Sequence, residues 1–346
     1  MPSKKDLLRL TGNIQQLASV RPVTYSDGRA EDLRMIMLTS GYLEAAFMAS
    51  KCLDPAWIRW RGLNLGFLPK QGLMGRDACD VDGARAIRTI MPGSMFTCGL
   101  DNIHGSQIID GTDYPTHGTI RTTPAEKICT DAFFDGDDYR LKISGEMREG
   151  ALFGDNLVLR RQIDTALGDK GFVISDTVEN QAFAPAPVSI LYHCNFGYPL
   201  LEEGCRLIIP SVECTPRDDE ARAGLDEIYT MCAPIDNAPE QVFIHRMAAD
   251  ENGDTFAALV NDRLGIGLKI SWNTSALPLL TQWKSPASGD YALAVEPTNT
   301  DFGGRRTAGD ILDPLETKSF WIGFTVLDGA DDIAQAEKDA ERLLGK

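Results

Sequence analysis

The segment Asp138-Tyr-Arg-Leu-Lys-Ile-Ser-Gly-Glu146 alternates its side chains one by one. Tyr139, Leu141 and Ile143 fall on one face, and Arg140, Lys142 and Ser144 on the other. A repeat of two is the period of a strand with one wet face, and one wet face argues for antiparallel pairing. The same period returns in Gly265–Trp272, where Ile266, Leu268, Ile270 and Trp272 share a face. Further strands are expected at Arg34–Thr39, Leu43–Ala49, Leu152–Ile163, Gly171–Val178, Val188–Cys194, Gln241–Arg246, Phe256–Val260, Tyr291–Val295 and Lys318–Val326. Clusters such as Asp135-Gly-Asp-Asp138 and Glu251-Asn-Gly-Asp254 separate them and favour turns. Helical spacing is confined to the ends: a short helix within Lys4–Ala18, expected to pack as a lid, and a closing helix over Asp331–Leu344. Many strands and few helices predict an all-β fold, a large antiparallel β-sandwich. No repeat or low-complexity linker divides the chain, so residues 1–346 are expected to form a single domain.

The formal net charge of −16 argues against nucleic-acid and anionic-membrane partners, because a phosphate surface would repel it. A neutral small ligand suits it better, although a local basic pocket can still hold an anion. The eight cysteines form no Cys-x-x-Cys pair and are scattered through apolar stretches, which fits reduced core thiols. The first residues lack the apolar run of a signal peptide, and no stretch approaches membrane-spanning length, so the cytoplasm is the expected compartment. Nothing in the sequence sets the oligomeric state; a homodimer is one arrangement open to it.

Two short pieces carry most of the chemistry. In Leu191-Tyr-His-Cys-Asn-Phe-Gly197, alternation puts Leu191, His193 and Asn195 on one face and Tyr192 and Cys194 on the other. His193 reads either as a core histidine or as a proton-transfer residue at a strand end. Imidazole titrates near neutrality, which favours the second reading. In Ala294-Val-Glu-Pro297, Glu296 ends a buried run, where a carboxylate is costly unless paired or used. Pro297 cannot donate to a ladder, so strand pairing is expected to stop there and turn the carboxylate into a cavity. A solvent-facing strand end is the alternative.

Secondary candidates are more open. His117 sits in a Gly- and Pro-bearing loop, Asp113–Arg121. Gln241, Phe243 and His245 share one face, and an aromatic ring between polar groups suits a sugar. Arg88, Arg121, Arg160 and Arg161 are candidate hydroxyl or carboxylate binders, but Arg160 and Arg161 must point opposite ways. Trp283 is a stacking candidate, whereas Trp272 is expected in the core. His104 fits either surface or site. No phosphate-binding glycine loop, nucleophile elbow or clustered metal spacing appears. The sequence therefore assigns no metal and no cofactor, though a metal assembled from His117, His193, His245 and Glu240 is not excluded by spacing.

The order His117-Gly118, His193-x-Asn195-Phe196, Gln282-Trp283 and Glu296-Pro297 resembles the aldose 1-epimerase (galactose mutarotase) superfamily. The phrases Phe96–Asn102, His117–Glu126, Leu191–Leu201 and Glu240–His245 resemble an aldose-epimerase-like branch of it. The likeness runs from about Leu10 to Val326. It implies a β-sandwich with a sugar cleft across one face, needing no cofactor. It also implies His117 as a sugar ligand, His193 as general acid and Glu296 as general base. The ordinary pKa values, about 6.5 and 4.3, are compatible with a protonated histidine beside an ionised glutamate. Two family features are missing: the Asn-Arg pair ahead of the His-Gly step, and an Arg-Gly-x-Asp phrase, replaced here by Thr39-Ser-Gly-Tyr-Leu-Glu44. A keto-sugar isomerase and a non-catalytic sugar binder are the alternative functions.

Overall fold

The computed structural model describes residues 2–345. Its strands form a five-stranded sheet, an eight-stranded sheet, a seven-stranded sheet and a small hairpin, Gln107–Ile109 with Thr112–Tyr114. The ladders between their strands are antiparallel. The eight-stranded sheet runs in the order Arg206–Ile208, Asp254–Asn261, Ile266–Asn273, Thr317–Asp328, Gly171–Asn180, Asn156–Ala166, Asp138–Gly150 and Glu126–Asp135. The seven-stranded sheet runs Ser211–Pro216, Gln241–Met247, Leu279–Ser285, Ala292–Thr298, Ala186–Phe196 and Asp310–Leu312, with Met95–Leu100 also on Ala186–Phe196.

The alternating strands bury the faces their sequences mark. Leu141, Ile143, Ile270 and Trp272 from one sheet join Tyr192, Cys194, Leu293 and Val295 from the other in one apolar core. On the outer face, Arg140 and Lys142 lie by Asp164. The five-stranded sheet adds Ile36, Leu38 and Phe47 to the same core. Arg161 faces inward and is fully buried, bonded to Asp54 and Asp176, while Arg160 faces out against Glu146 and Glu179. The eight cysteines are all free thiols. The closing helix, Ala330–Leu343, lays Ile333, Ala336 and Ala340 on Ile208, Phe256 and Val260, covering the outside of the eight-stranded sheet. Among the described residues no helix is long and apolar enough to cross a membrane.

Two local expectations are corrected. The N-terminal helix spans only Lys4–Leu10, because the chain leaves it at Thr11-Gly12 and is a strand by Ala18–Thr24, paired with Arg34–Ser40. It is not a lid: Leu7 enters the core, and the Lys4 backbone N–H donates to Asp137 (2.9 Å) beside Phe134, remote from the cavity described below. Pro297 does not end its strand, which continues to Thr298 with Pro297 opposite Leu280. Its effect is one-sided. Toward Ala186–Phe196 the ladder pairs Leu191 with Thr298 and Cys194 with Val295, and skips the two positions between. Proline has no N–H to offer there, so the sheet opens where His193 faces Glu296.

Candidate active site

The face of the seven-stranded sheet away from the core forms one wall of a cavity of about 880 Å³. Strand periodicity decides which side chains reach it. On Leu279–Ser285 the odd positions Thr281 and Trp283 line the cavity, opposite Glu296 and Ala294 of the next strand. On Gln241–Met247 it is Val242 that lines the cavity. On Ala186–Phe196 it is His193, whose ring stacks on Phe96 of the adjoining strand with centroids 4.5 Å apart.

His193 and Glu296 are both buried, at 4% and 2% exposure, with Nε2 and Oε1 3.1 Å apart. Burial lowers the His193 pKa to about 3, a polar contact with the Asn195 side chain opposing this only in part. Burial, reinforced by the Glu240 charge, raises that of Glu296 well above the carboxylate range. Both shifts favour the neutral forms of the pair, an imidazole beside a carboxylic acid, over imidazolium and carboxylate. The two descriptions differ by the position of a single proton.

The His117 ring stands 5.8 Å from that of His193, centroid to centroid. Its backbone lies in the left-handed region, at φ +57°, and Gly118 follows at φ +70°. A Cβ on Gly118 would meet the Gly99 carbonyl oxygen at 2.2 Å, so only glycine allows the turn that presents His117. His104 lines the cavity beside it, 5.7 Å away between centroids. Both rings are held neutral by burial, His104 at about 4 and His117 well below its ordinary value.

Trp283 is set by a polar tether: its indole N–H donates to Glu240 (2.7 Å), and Arg217 pairs with the other oxygen of Glu240 (2.9 Å). Lys70 and Asp290 pair across the mouth at 2.6 Å, and Arg88 stands exposed there on the Gly83–Thr89 turn.

Of twelve buried side-chain polar atoms without a partner in the described chain, five belong to residues lining this cavity: His104, His117, His193, Thr281 and Glu296. An unmet buried polar group costs about 1–3 kcal/mol, so these five are groups that a bound molecule or water could satisfy.

Four predicted site residues do not line the cavity. Asn195 lies buried beside His193 and donates to the carbonyls of Gly93 (2.9 Å) and His193 (3.2 Å). Arg121 is buried behind the cavity wall and donates to the Asp80 carbonyl (3.2 Å). Gln241 and His245 occupy the opposite face of their strand from Val242. There His245 bonds Ser211 and Gln282, both at 3.0 Å, and Phe243 packs on Ala221 and Ile228. The shared face of Gln241, Phe243 and His245 is real but turned the wrong way. A metal set of His117, His193, His245 and Glu240 therefore does not converge. Among the described residues no three His, Cys, Asp or Glu side chains form a group able to hold a metal ion. Sequence reasoning missed Thr281, legible from its alternation with Trp283. It also missed Arg217, Lys70 and Phe302, which come from irregular segments that carry no periodic signal.

The β-sandwich is the fold of solved proteins described as aldose 1-epimerases and as galactose mutarotase-like. The chain belongs to the family described as "Domain of unknown function (DUF4432)", whose profile matches residues 30–326. Its fold superposes with a TM-score of 0.90 on a Klebsiella pneumoniae protein described as a "putative aldose 1-epimerase", 25% identical over 96% of this chain and 91% of that one. A galactose mutarotase-like protein from Clostridium acetobutylicum shares the fold with a TM-score of 0.64 at 15% identity, covering 90% of this chain and 99% of that one. So does an Escherichia coli protein also described as a "putative aldose 1-epimerase", with a TM-score of 0.53 at 14% identity, covering 84% and 98%. No curated protein matches the chain.

Proposed function

We propose that this protein is a sugar epimerase that interconverts anomers by opening and reclosing the ring, with Glu296 and His193 exchanging protons with the substrate. The observation that carries the reading is the pair itself: two buried proton-transfer groups 3.1 Å apart in a cavity rich in unmet polar atoms. A cavity of about 880 Å³ suits a monosaccharide, and the epimerase-like fold agrees with it.

In the proposed cycle, sugar hydroxyls supply hydrogen bonds that favour the charged form of the pair. The acid proton moves from Glu296 to His193. Glu296 then takes the proton of the anomeric hydroxyl as C1=O forms. The C1–O5 bond breaks, and O5 receives a proton from His193. After rotation about C1–C2, O5 attacks the other face of the aldehyde. His193 recovers its proton from O5, and Glu296 returns its proton to the carbonyl oxygen. The pair is then again imidazolium and carboxylate, and as product leaves the proton passes back from His193 to Glu296, so that protons and electrons balance and both groups return to their resting forms. Trp283 provides a face for the C–H side of the sugar, His117 a hydrogen bond, and Arg88 a donor at the mouth. Asn195 and Arg121 act from behind, on His193 and the wall. We read the chain as one working unit, since strands from Arg34–Ser40 to Thr317–Asp328 feed one core. The test is an NMR anomerisation screen over aldoses, uronates and keto-sugars. Acceleration above the spontaneous rate for at least one sugar is expected, and none for any sugar would refute the reading.

A further inference from the structure

His104 is the cavity histidine that the acid–base pair leaves without a task. Its backbone sits in the left-handed region at φ +59°, matching φ +57° at His117. Histidine enters this region more readily than most residues, but always at a conformational cost.

Several bonds lock the two turns together. The His117 N–H donates to the His104 carbonyl (2.8 Å). The buried Asn102 amide donates to Gly105 (3.0 Å) in one turn and Pro115 (2.9 Å) in the other, and its oxygen accepts from the Arg305 N–H (3.1 Å). Phe302 backs the His104 ring, with centroids 5.0 Å apart. The result is a row of imidazoles along one wall, His193, His117 and His104, at centroid spacings of 5.8 and 5.7 Å. His104 Nε2 and His117 Nδ1 are both buried and have no partner within the chain. Held neutral, each ring offers one N–H and one lone pair, which match a hydroxyl and lack the charge an anion would call for.

We infer that His104 is a substrate-contacting residue, binding a hydroxyl of the sugar remote from the anomeric carbon, next to the oxygen held by His117. This rests on the reading of His193 and Glu296 as the anomeric end. Asn102 is the positioning residue that fixes the two rings. The site thus discriminates on a hydroxyl: a sugar lacking it loses the His104 bond and leaves Nε2 unpaired.

The test is a binding titration followed by saturation-transfer NMR. The probes are D-galactose, D-glucose, D-xylose and L-arabinose, with monodeoxy analogues of whichever binds most tightly. The proteins are wild type, His104→Gly and His104→Asn, both substitutions being compatible with a left-handed backbone. His104→Gly should bind the parent sugar about fivefold or more weakly, the scale of one lost hydrogen bond. In turnover its KM should rise more than its kcat falls. One deoxy analogue should bind wild type with a similar loss and be indifferent to the substitution. Unchanged affinity in both variants, equal loss for the parent and every deoxy analogue, or no binding of any probe by wild type would overturn the inference. Turnover separates the two readings. Binding with this pattern but no anomerisation would refute the acid–base cycle and leave His104 in place, and anomerisation indifferent to His104 would do the reverse.

Discussion

His193 and Glu296 face each other from neighbouring strands, their Nε2 and Oε1 3.1 Å apart. The ladder between those strands skips this position, where Pro297 has no N–H to offer. At that separation a proton can pass between the two groups, as the proposed cycle needs.

The electrostatics of the pair predict the pH profile. The working state holds one proton between the two groups, whichever carries it. A second proton binds only near the lowered His193 value, about 3. The single proton is lost only above the raised value of Glu296. The acid limb of the anomerisation rate should therefore lie well below the ordinary imidazole range of about 6.5. A pH–rate series of kcat/KM checks this, and an acid limb with its inflection near that ordinary value would contradict it.

Arg161 should be the most stability-sensitive charged residue. It is fully enclosed and donates to Asp54 (2.6 Å), Asp176 (2.7 and 2.9 Å), Thr97 (2.9 Å) and the Cys52 carbonyl (2.9 Å), while Tyr192 adds a bond to Asp176 (2.8 Å). These partners come from all three large sheets. Arg161→Met would leave two carboxylates buried without their counter-charge, a loss on the order of 3–5 kcal/mol. Urea unfolding should show it, with Arg160→Met, on the outer face, as the mild control.

Trp283 should report on ligand. Its ring lies 5.9 Å from that of His193, held by Glu240. A bound sugar should alter its fluorescence, and Trp283→Ala should weaken binding by roughly one stacking interaction, about 0.5–1.5 kcal/mol, or about two- to tenfold. Glu240→Gln should produce a smaller change of the same sign. A Trp283→Ala variant that binds as wild type does would remove the stacking role.

Much of the fold was legible because it rests on a period of two. The strands through Asp138–Glu146 and Gly265–Trp272 bury the side chains their alternation selects, and so does the stripe of Ile333, Ala336 and Ala340. His193, Glu296 and Trp283 were legible for the same reason: each follows or interrupts a run with a clear facing. Alternation tells which residues share a face but not which face is covered. Gln241 and His245 were misassigned on that account, since the segment Asp219–Glu227 packs over their side of the sheet. His104 and Asn102 depend on left-handed turns brought together by Arg305 and Phe302, about two hundred residues away in the chain. No local pattern announces such a contact.

The most direct test compares anomer exchange rates by NMR for wild type, His193→Asn and Glu296→Gln on the sugar that wild type accelerates. Removing either member of an acid–base pair should lower the enzymatic rate by about 100-fold or more, with circular dichroism and thermal melting showing folded proteins. Folded variants that both exchange anomers as fast as wild type would contradict the assignment of these two residues.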